Sequence, residues 1–550
     1  SSDGGLLWIK QTDAGPYKRP LIVDSVRGVR KGIDPSWESL EMSASTDTSK
    51  DVVSFDDDGF TLGPPDSTLG QNINRLDEHY VSWSFKKTPG FLDIQTFTGT
   101  GSSNTNQQSH DLGCKPGLVI VKRLDDNSGG TGNWWTWHHS VWDTTNYKSL
   151  KFDTAAAASG WGVFYNNACD HTSTHFTVRG DANVSGGSYV VYLFAGREDE
   201  TTATAKSVEF GGSSDWLVAG SSSDLTMGTG DFTAECYVKF KTNPSGHQGI
   251  FQVTSESDGN QSSNHNNAFG VGYTGTTWRI YAGGGSGTVS AAPASPVAGG
   301  QWYHVALVRA SGVTKLYLDG NPIISKTDTY DYDGTYMGIG VKYGPSFALN
   351  GSISNVRVVK GTAVYTAPFK PSRVPLTNIT NTKLLCCNDS SVTGKTVGPT
   401  LTVQGDSVTS SSSTPFPDPN MSIFGDNEDQ DVIKCSSYFG NGSATGAEIN
   451  LGWEPQFLII KNTADTEHWF MYDAIRGVVH ERNANVLKVN EIDEESSHRR
   501  LEFTPTGFRL VDGDGNLNGS GDEHVYLAIR RPDGFCAKPP KLGTEAFATV

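Results

Sequence analysis

The sequence predicts an all-β protein made of repeated antiparallel β-sandwich modules. Two observations carry this. Clusters of Ser, Thr, Asn, Asp and Gly punctuate the 550 residues at short intervals, Gly alone counts 63, and hydrophobic residues make up only 36%. That is the rhythm of short strands joined by turns, not of long helices. The second observation is a strand pattern that recurs three times, and a repeat outweighs any single local signal.

The strands match in order. Residues 5–10 read "GLLWIK", 117–122 "GLVIVK" and 456–461 "QFLIIK", each an apolar run closed by a lysine: Lys10, Lys122 and Lys461. A continuous apolar run of strand length suits a strand buried on both faces. Next come "PLIVDSVRG" (20–28), "WWTWHHSVW" (134–142) and "WFMYDAIRG" (469–477). "DGFTLG" (58–63), "THFTVRG" (174–180) and "TGFRLVDG" (506–513) follow. Each copy ends in an alternating strand: "HYVSWSFK" (79–86), "SYVVYLFA" (188–195) and "HVYLAIRR" (524–531). Copies two and three share an opening, "DIQTFTGTG" (93–101) and "VIKCSSYFGNG" (432–442), which copy one lacks. The copies occupy 1–88, 89–202 and 424–533. Each complete module holds about seven strands, most simply a sandwich.

Residues 203–403 do not fit the module. "DFTAECYVKF" (231–240), "WYHVALVR" (302–309), "LYLDG" (316–320) and "GSISNVRV" (351–358) resemble, in that order, a concanavalin A-like (laminin-G-like) jelly roll. The strand pattern agrees: Trp302, His304, Ala306 and Val308 take one face, Tyr303, Val305, Leu307 and Arg309 the other. "DG" at 319–320 suits a tight hairpin turn. The Ser- and Pro-rich stretch 404–423 reads as a linker, and 534–550 as an extended tail.

The combination resembles marine bacteriophage virion proteins, especially those of cyanophages. The resemblance implies a structural or adhesive part of a particle, such as a tail fibre or appendage. It implies a virion location, contacts with other virion proteins, a homo-oligomer and a host-surface glycan as ligand. The rival readings are a polysaccharide depolymerase, which needs paired acidic residues in a cleft within 203–403, and a secreted bacterial adhesin. The start, "SSDGGLLWIK", has no initiator Met and no signal-peptide pattern, and reads as trimmed. The incomplete first copy invites a strand supplied by another chain.

Charge and cysteine usage narrow the classes. A net charge of −17 with no basic run disfavours nucleic acid and anionic membranes. No apolar stretch is long enough for a spanning helix. Seven widely spaced cysteines without a C-x-x-C support neither a zinc ribbon nor a disulfide framework. Nucleophile elbows, phosphate loops and zinc helices are absent from the sequence. The expectation is a protein that is not an enzyme and requires no cofactor.

Four stretches remain as site candidates. "EIDEE" carries Glu491, Asp493 and Glu495 at the spacing of jelly-roll glycosidases, but lies in copy three and reads as a solvated loop. "DGDGNLNGSGDE" places Asp512, Asp514, Asn516, Asn518, Ser520 and Glu523 at the oxygen-ligand offsets of a Ca²⁺ loop. Its sixth position is Leu517 instead of Gly, so a plain turn competes. Tyr330, Tyr332, Tyr336 and Tyr343 either stack on sugar faces or pack as half-buried strand residues. Last, "NWWTWHHSVW" places Trp134, Trp135 and Trp137 where the other copies also carry bulky or apolar residues, which reads as core. His138 and His139 match Asp24 and Ser25 in copy one and Asp473 and Ala474 in copy three, a set no metal could use throughout. Adjacent strand residues also point to opposite faces. Trp142 is the one aromatic there that packing leaves unexplained.

Overall fold

The structure, a computed structural model, describes residues 4–13, 20–36, 51–56, 59–64, 73–103, 105–125, 134–141, 148–160, 163–164, 171–196, 206–260, 267–283, 287–342, 344–417, 423–424, 430–478 and 482–530. Its strands are antiparallel throughout the sheets formed by the repeats and the jelly roll. In the second repeat the main sheet runs Leu150–Lys151, Trp134–His138, Leu118–Arg123, Ser188–Phe194, Leu92–Thr98. The third repeat has the same order: Ala484–Lys488, Trp469–Asp473, Phe457–Asn462, Glu523–Ile529, Ile433–Phe439. The first stops earlier, with Leu21–Asp24, Gly5–Gln11 and Tyr80–Lys86. Register fixes the equivalence residue by residue: Lys10 faces Val81, Lys122 faces Val190 and Lys461 faces Val525. Each repeat adds a small second sheet, such as Val52–Phe55 with Phe60–Leu62 or Glu448–Asn450, Gly507–Leu510 and Leu501–Thr504.

The lysine-closed strands are apolar on both faces because they serve two cores. Leu7 and Ile9, like Leu458 and Ile460, face the small sheet of their own repeat. The opposite faces meet in one shared core: Trp8, Trp83 and Phe85 from the first repeat, Ile120, Tyr192 and Phe194 from the second, Ile459, Leu527 and Ile529 from the third. Aromatic rings bridge the repeats, with centroids 5.6 Å apart for Trp83 and Phe457, 5.2 Å for Phe152 and Trp469, and 6.4 Å for Phe85 and Phe194. The three modules therefore form a single body.

Their junctions run in one direction around a ring. The Ala158 N–H of repeat two donates to the Thr463 carbonyl of repeat three at 2.8 Å. The Glu495 N–H of repeat three donates to the Thr12 carbonyl of repeat one at 3.0 Å. Thr12 and Thr463 each stand two places beyond the buried lysine, and Ala158 and Glu495 are equivalent too. The turn after the second strand makes the same circuit. Arg27 reaches the Tyr192 hydroxyl at 3.2 Å, His138 Nε2 meets the Tyr526 carbonyl at 3.2 Å, and the Arg476 guanidinium lies 5.5 Å from the Trp83 ring centre. One onto two, two onto three, three onto one is a heterologous contact that closes, as in a cyclic trimer, here within one chain.

The jelly roll has two antiparallel sheets around its own core, which includes Phe232, Val238, Phe251, Trp278, Val305, Leu307 and Val358. The faces of "WYHVALVR" divide as expected: Tyr303, Val305 and Leu307 enter that core, while Ala306 and Val308 pack outside it with Tyr317 under Ala363, Tyr365 and Phe369. Asp319 and Gly320 both take positive φ, 48° and 79°, as the tight hairpin requires. The stretch expected to be a linker is corrected here. Leu401–Gln404 pairs with Trp216–Ala219, and Thr409–Ser411 with Ser207–Gly211, so these Ser- and Thr-rich residues close the edges of both sheets. Edge strands have one free side and tolerate polar composition. The tail 534–550 lies outside the described residues.

The jelly roll is seated on the ring. Phe439 N–H donates to the Gly299 carbonyl at 3.2 Å, Asn243 Nδ2 to the Gly440 carbonyl at 2.7 Å, and Arg373 pairs with Asp431. No described helix is long and apolar enough to cross a membrane.

Candidate functional site

Where the jelly roll meets repeats two and three, a cleft of about 290 Å³ opens. Eight separate chain segments build its wall. Ser436, Ser437 and Phe439 come from the opening strand of repeat three and Glu523 from its closing strand; His139 and Ser140 come from the turn of repeat two. The jelly roll contributes Glu209, Lys239, Phe240, Lys241, Ser352, Ser411 and Ser413. The cleft is thus lined with hydroxyls, two carboxylates, two ammonium groups and the half-buried Phe439, while the Phe240 ring turns into the jelly-roll core.

Its charges are held in place. Lys239 donates to the Ser413 hydroxyl and lies 5.1 Å from the Trp302 ring centre. Lys241 pairs with Glu209 at 3.1 Å. Burial raises the Glu523 pKa, and Ser437, Lys148, Lys239 and His139 pull it back. His139 Nε2 meets the Cys435 carbonyl at 2.7 Å. Such a surface can exchange hydrogen bonds with a hydroxyl-rich ligand, with the Phe439 ring as its apolar part.

The predicted residues are scattered. Tyr332 is buried, its hydroxyl 2.9 Å from Asp328 and its ring 4.8 Å from Arg309, so it presents no face to a ligand. Tyr330 is half-buried beside it, with Lys326 Nζ 5.2 Å from its ring centre. Tyr336 packs in a different cluster with Trp216 and Val341. Tyr343 and Trp142 lie outside the described residues.

The Ca²⁺-type spacing does not gather its oxygens. Asp514 caps the short helix Gly515–Asn518 through the Asn516 N–H at 2.7 Å and pairs with Arg500 at 3.0 Å. Asn518 turns inward and donates to the carbonyls of Ser443 at 2.8 Å and Asp512 at 2.9 Å. Glu523 faces the cleft and Asp512 is exposed. Among the described residues, no three His, Cys, Asp or Glu side chains converge as a metal site. The spacing assumed one continuous loop; the helix and the inward Asn518 break it.

"EIDEE" is a ring junction. Lys10 Nζ donates to the Glu491 carbonyl at 2.5 Å, Asp493 pairs with Lys488 at 2.8 Å, and Glu495 with Arg476 at 2.8 Å. Within the jelly roll, Glu235 is tied to Arg357 Nη2 at 2.7 Å, His304 at 3.0 Å and the Tyr365 hydroxyl at 2.9 Å. Burial alone would raise its pKa; His304 and Arg357 hold it below the usual value. Trp134, Trp135 and Trp137 are buried core residues. The rings of His138 and His139 stack at 5.0 Å instead of opposing each other, because the strand ends at His138 and His139 begins a turn.

Sequence reasoning missed the cleft, whose segments lie far apart in the chain. It also missed Asn183, and it placed Asn518 in a Ca²⁺-type loop instead of a loop brace. Asn183 Oδ1 accepts from Thr100 N–H and Asn518 Oδ1 from Asn441 N–H, both at 2.8 Å, bracing the same loop in two repeats. The repeat alignment holds that signal: "GDAN" and "GNLN" both end in Asn before the closing strand.

A family model described as "Domain of unknown function (DUF7483)" matches residues 2–200 and 377–531. A second, the concanavalin A-like lectin/glucanases superfamily, matches 210–363, within the interruption of the first. No curated protein matches the chain. Among solved structures, a putative carbohydrate binding protein from Bacteroides ovatus is 14% identical, covering 59% of this chain and 94% of its own, with TM-score 0.29. Domains LG4-5 of mouse laminin α1 are 11% identical, covering 51% and 86%, with TM-score 0.22. Tailspike protein 2 of the Escherichia coli O157:H7 bacteriophage CAB120 is 13% identical, covering 30% and 27%, with TM-score 0.21. At these scores the likenesses carry no functional argument.

Proposed function

The chain belongs to the family described as a domain of unknown function (DUF7483), with a concanavalin A-like jelly roll inserted in it, and from that premise we propose that it is a non-enzymatic glycan-binding structural subunit of a bacteriophage particle. The three-repeat ring is the scaffold and the jelly roll the binding head, in a tail fibre or appendage that meets host-surface glycan. The cleft at the jelly-roll seat carries this reading. Its hydroxyl, ammonium and carboxylate groups supply both donors and acceptors, which is what polyhydroxylated ligands require. The Glu235 cluster supports a structural role for that acid, since its carboxylate is already engaged by three side chains.

A glycan array followed by calorimetric titration of the strongest hit tests the binding. Ser352→Trp, which fills the cleft, should weaken binding at least about tenfold, or about 1.4 kcal/mol. Undiminished binding by that variant, or silence across the array, would remove the cleft from the account. Antibody against the jelly roll should decorate the particle surface in electron micrographs, and bare particles would defeat the phage assignment.

A further inference from the structure

A second pocket, of about 170 Å³, opens where the jelly roll meets repeat three, and it shares no lining residue with the cleft. The partition between them is thin. Lys239 of the cleft lies 5.1 Å from the ring centre of Trp302, which lines the pocket. The Gln301 amide of the pocket donates to the Ser437 carbonyl of the cleft.

The pocket has an apolar part and a polar part. Tyr237 and the prolines Pro371, Pro415 and Pro417 supply the first. In the second, two buried ring nitrogens have no hydrogen-bond partner among the described residues. One is Nε1 of the half-buried Trp302. The other is Nδ1 of His304, a residue only 2% exposed, whose Nε2 meets Glu235 at 3.0 Å. Buried polar atoms left open carry a cost, which a ligand with hydroxyl groups can offset. Beside them Asp319 accepts from the His304 N–H at 2.8 Å, and burial raises its pKa. The stronger charges are already matched. Arg373 pairs with Asp431, and the Lys434 amine donates to the Asn450 carbonyl at 3.2 Å while facing the charge of Asp319. The pocket therefore calls for hydrogen bonds and an apolar face, and for no net charge.

We infer that this pocket takes one uncharged sugar ring, whose C–H groups meet Tyr237 and the prolines and whose hydroxyls meet the Trp302 N–H, the His304 Nδ1 and the Asp319 carboxylate. Its volume lies below the roughly 300–1,000 Å³ of sites for drug-sized ligands, so a single ring is its limit. The inference rests on the glycan reading for its ligand class and adds a second site, built by repeat three and the jelly roll together.

Fluorine NMR of the full chain labelled with fluorotryptophan tests this, with methyl glucoside, methyl galactoside and N-acetylglucosamine as probes. The Trp302 resonance is the one missing from Trp302→Phe. In the wild type at least one probe should move it saturably over a millimolar range. Ser372→Trp, which fills the pocket, should abolish the shift. Asp319→Asn keeps a residue that tolerates the positive φ of this turn and should weaken binding at least about fivefold. Ser352→Trp fills the cleft instead and should leave the shift in place. Unchanged thermal melting is the folding control, and Asp319→Asn carries the test if Ser372→Trp does not fold. A Trp302 resonance that no probe moves, undiminished binding by folded Asp319→Asn, or a shift lost in Ser352→Trp and kept in Ser372→Trp overturns the inference. The last of these would leave the glycan reading of the cleft standing. A shift lost in Ser372→Trp alone supports the pocket even where the cleft binds nothing.

Discussion

The junction of repeat two on repeat three and that of repeat three on repeat one share a backbone bond and a buried lysine but differ in their turns. Both are fastened by an N–H to a threonine carbonyl, Ala158 to Thr463 and Glu495 to Thr12. Both bury a lysine amine on carbonyls of the preceding repeat: Lys461 on Ala155 at 3.3 Å and Lys10 on Glu491 at 2.5 Å. The turns then diverge. The first junction uses the His138 and His139 imidazoles on carbonyls. The second uses Asp473 paired with Arg476 at 2.5 Å beneath Trp83. Backbone geometry sets the ring, and side chains vary freely once each buried polar atom has a partner.

The comparison can be broken most strongly at the core. Trp83→Ala removes a ring shared by repeats one and three and should cost about 3–5 kcal/mol in denaturant unfolding. A loss well below this would mean that repeat one contributes little to the shared core.

The lysines come next. Burial lowers Lys10 and Lys461 to about 8, and the nearby carboxylates only partly offset it. Below about pH 8 both folded and unfolded chains hold these protons, and the full burial cost stands. Between about 8 and 10.5 the folded chain releases protons that the unfolded chain keeps, so stability rises with pH and then levels off. The gain is at most about 3 kcal/mol per lysine. Lys10→Met should remove its share of that slope, and equal slopes in the two proteins would contradict the burial of a charged amine.

Asn518→Ala and Asn183→Ala should each cost about 1–3 kcal/mol by leaving loop N–H and carbonyl groups without partners. Similar losses would confirm their equivalence; a loss in one alone would separate the repeats. The smallest effect is expected from Lys488→Ala. Its pair with Asp493 is largely solvated, so melting should shift by about 0–1 kcal/mol in stability.

Much of the fold was legible because strand alternation and lysine-closed runs are local. Lys10, Lys122 and Lys461 align in sequence and in register alike. The candidate sites were less legible. Spacing alone grouped Asp514 with Asn518, yet one caps a helix outward and the other braces a loop inward. Composition alone made 404–423 a linker, because Ser-rich edge strands such as Thr409–Ser411 and Ser-rich loops look the same along the chain.

The sequence by itself determined an all-β chain, its threefold repeat and the place of the jelly roll, since these follow from periodicities carried by neighbouring residues. Only the tertiary structure decided that the repeats share one core, that "EIDEE" fastens a ring, and that serines from four segments line a cleft. Those features depend on which apolar face meets which, over hundreds of residues of separation. No local period encodes that choice; close packing of all the faces at once does.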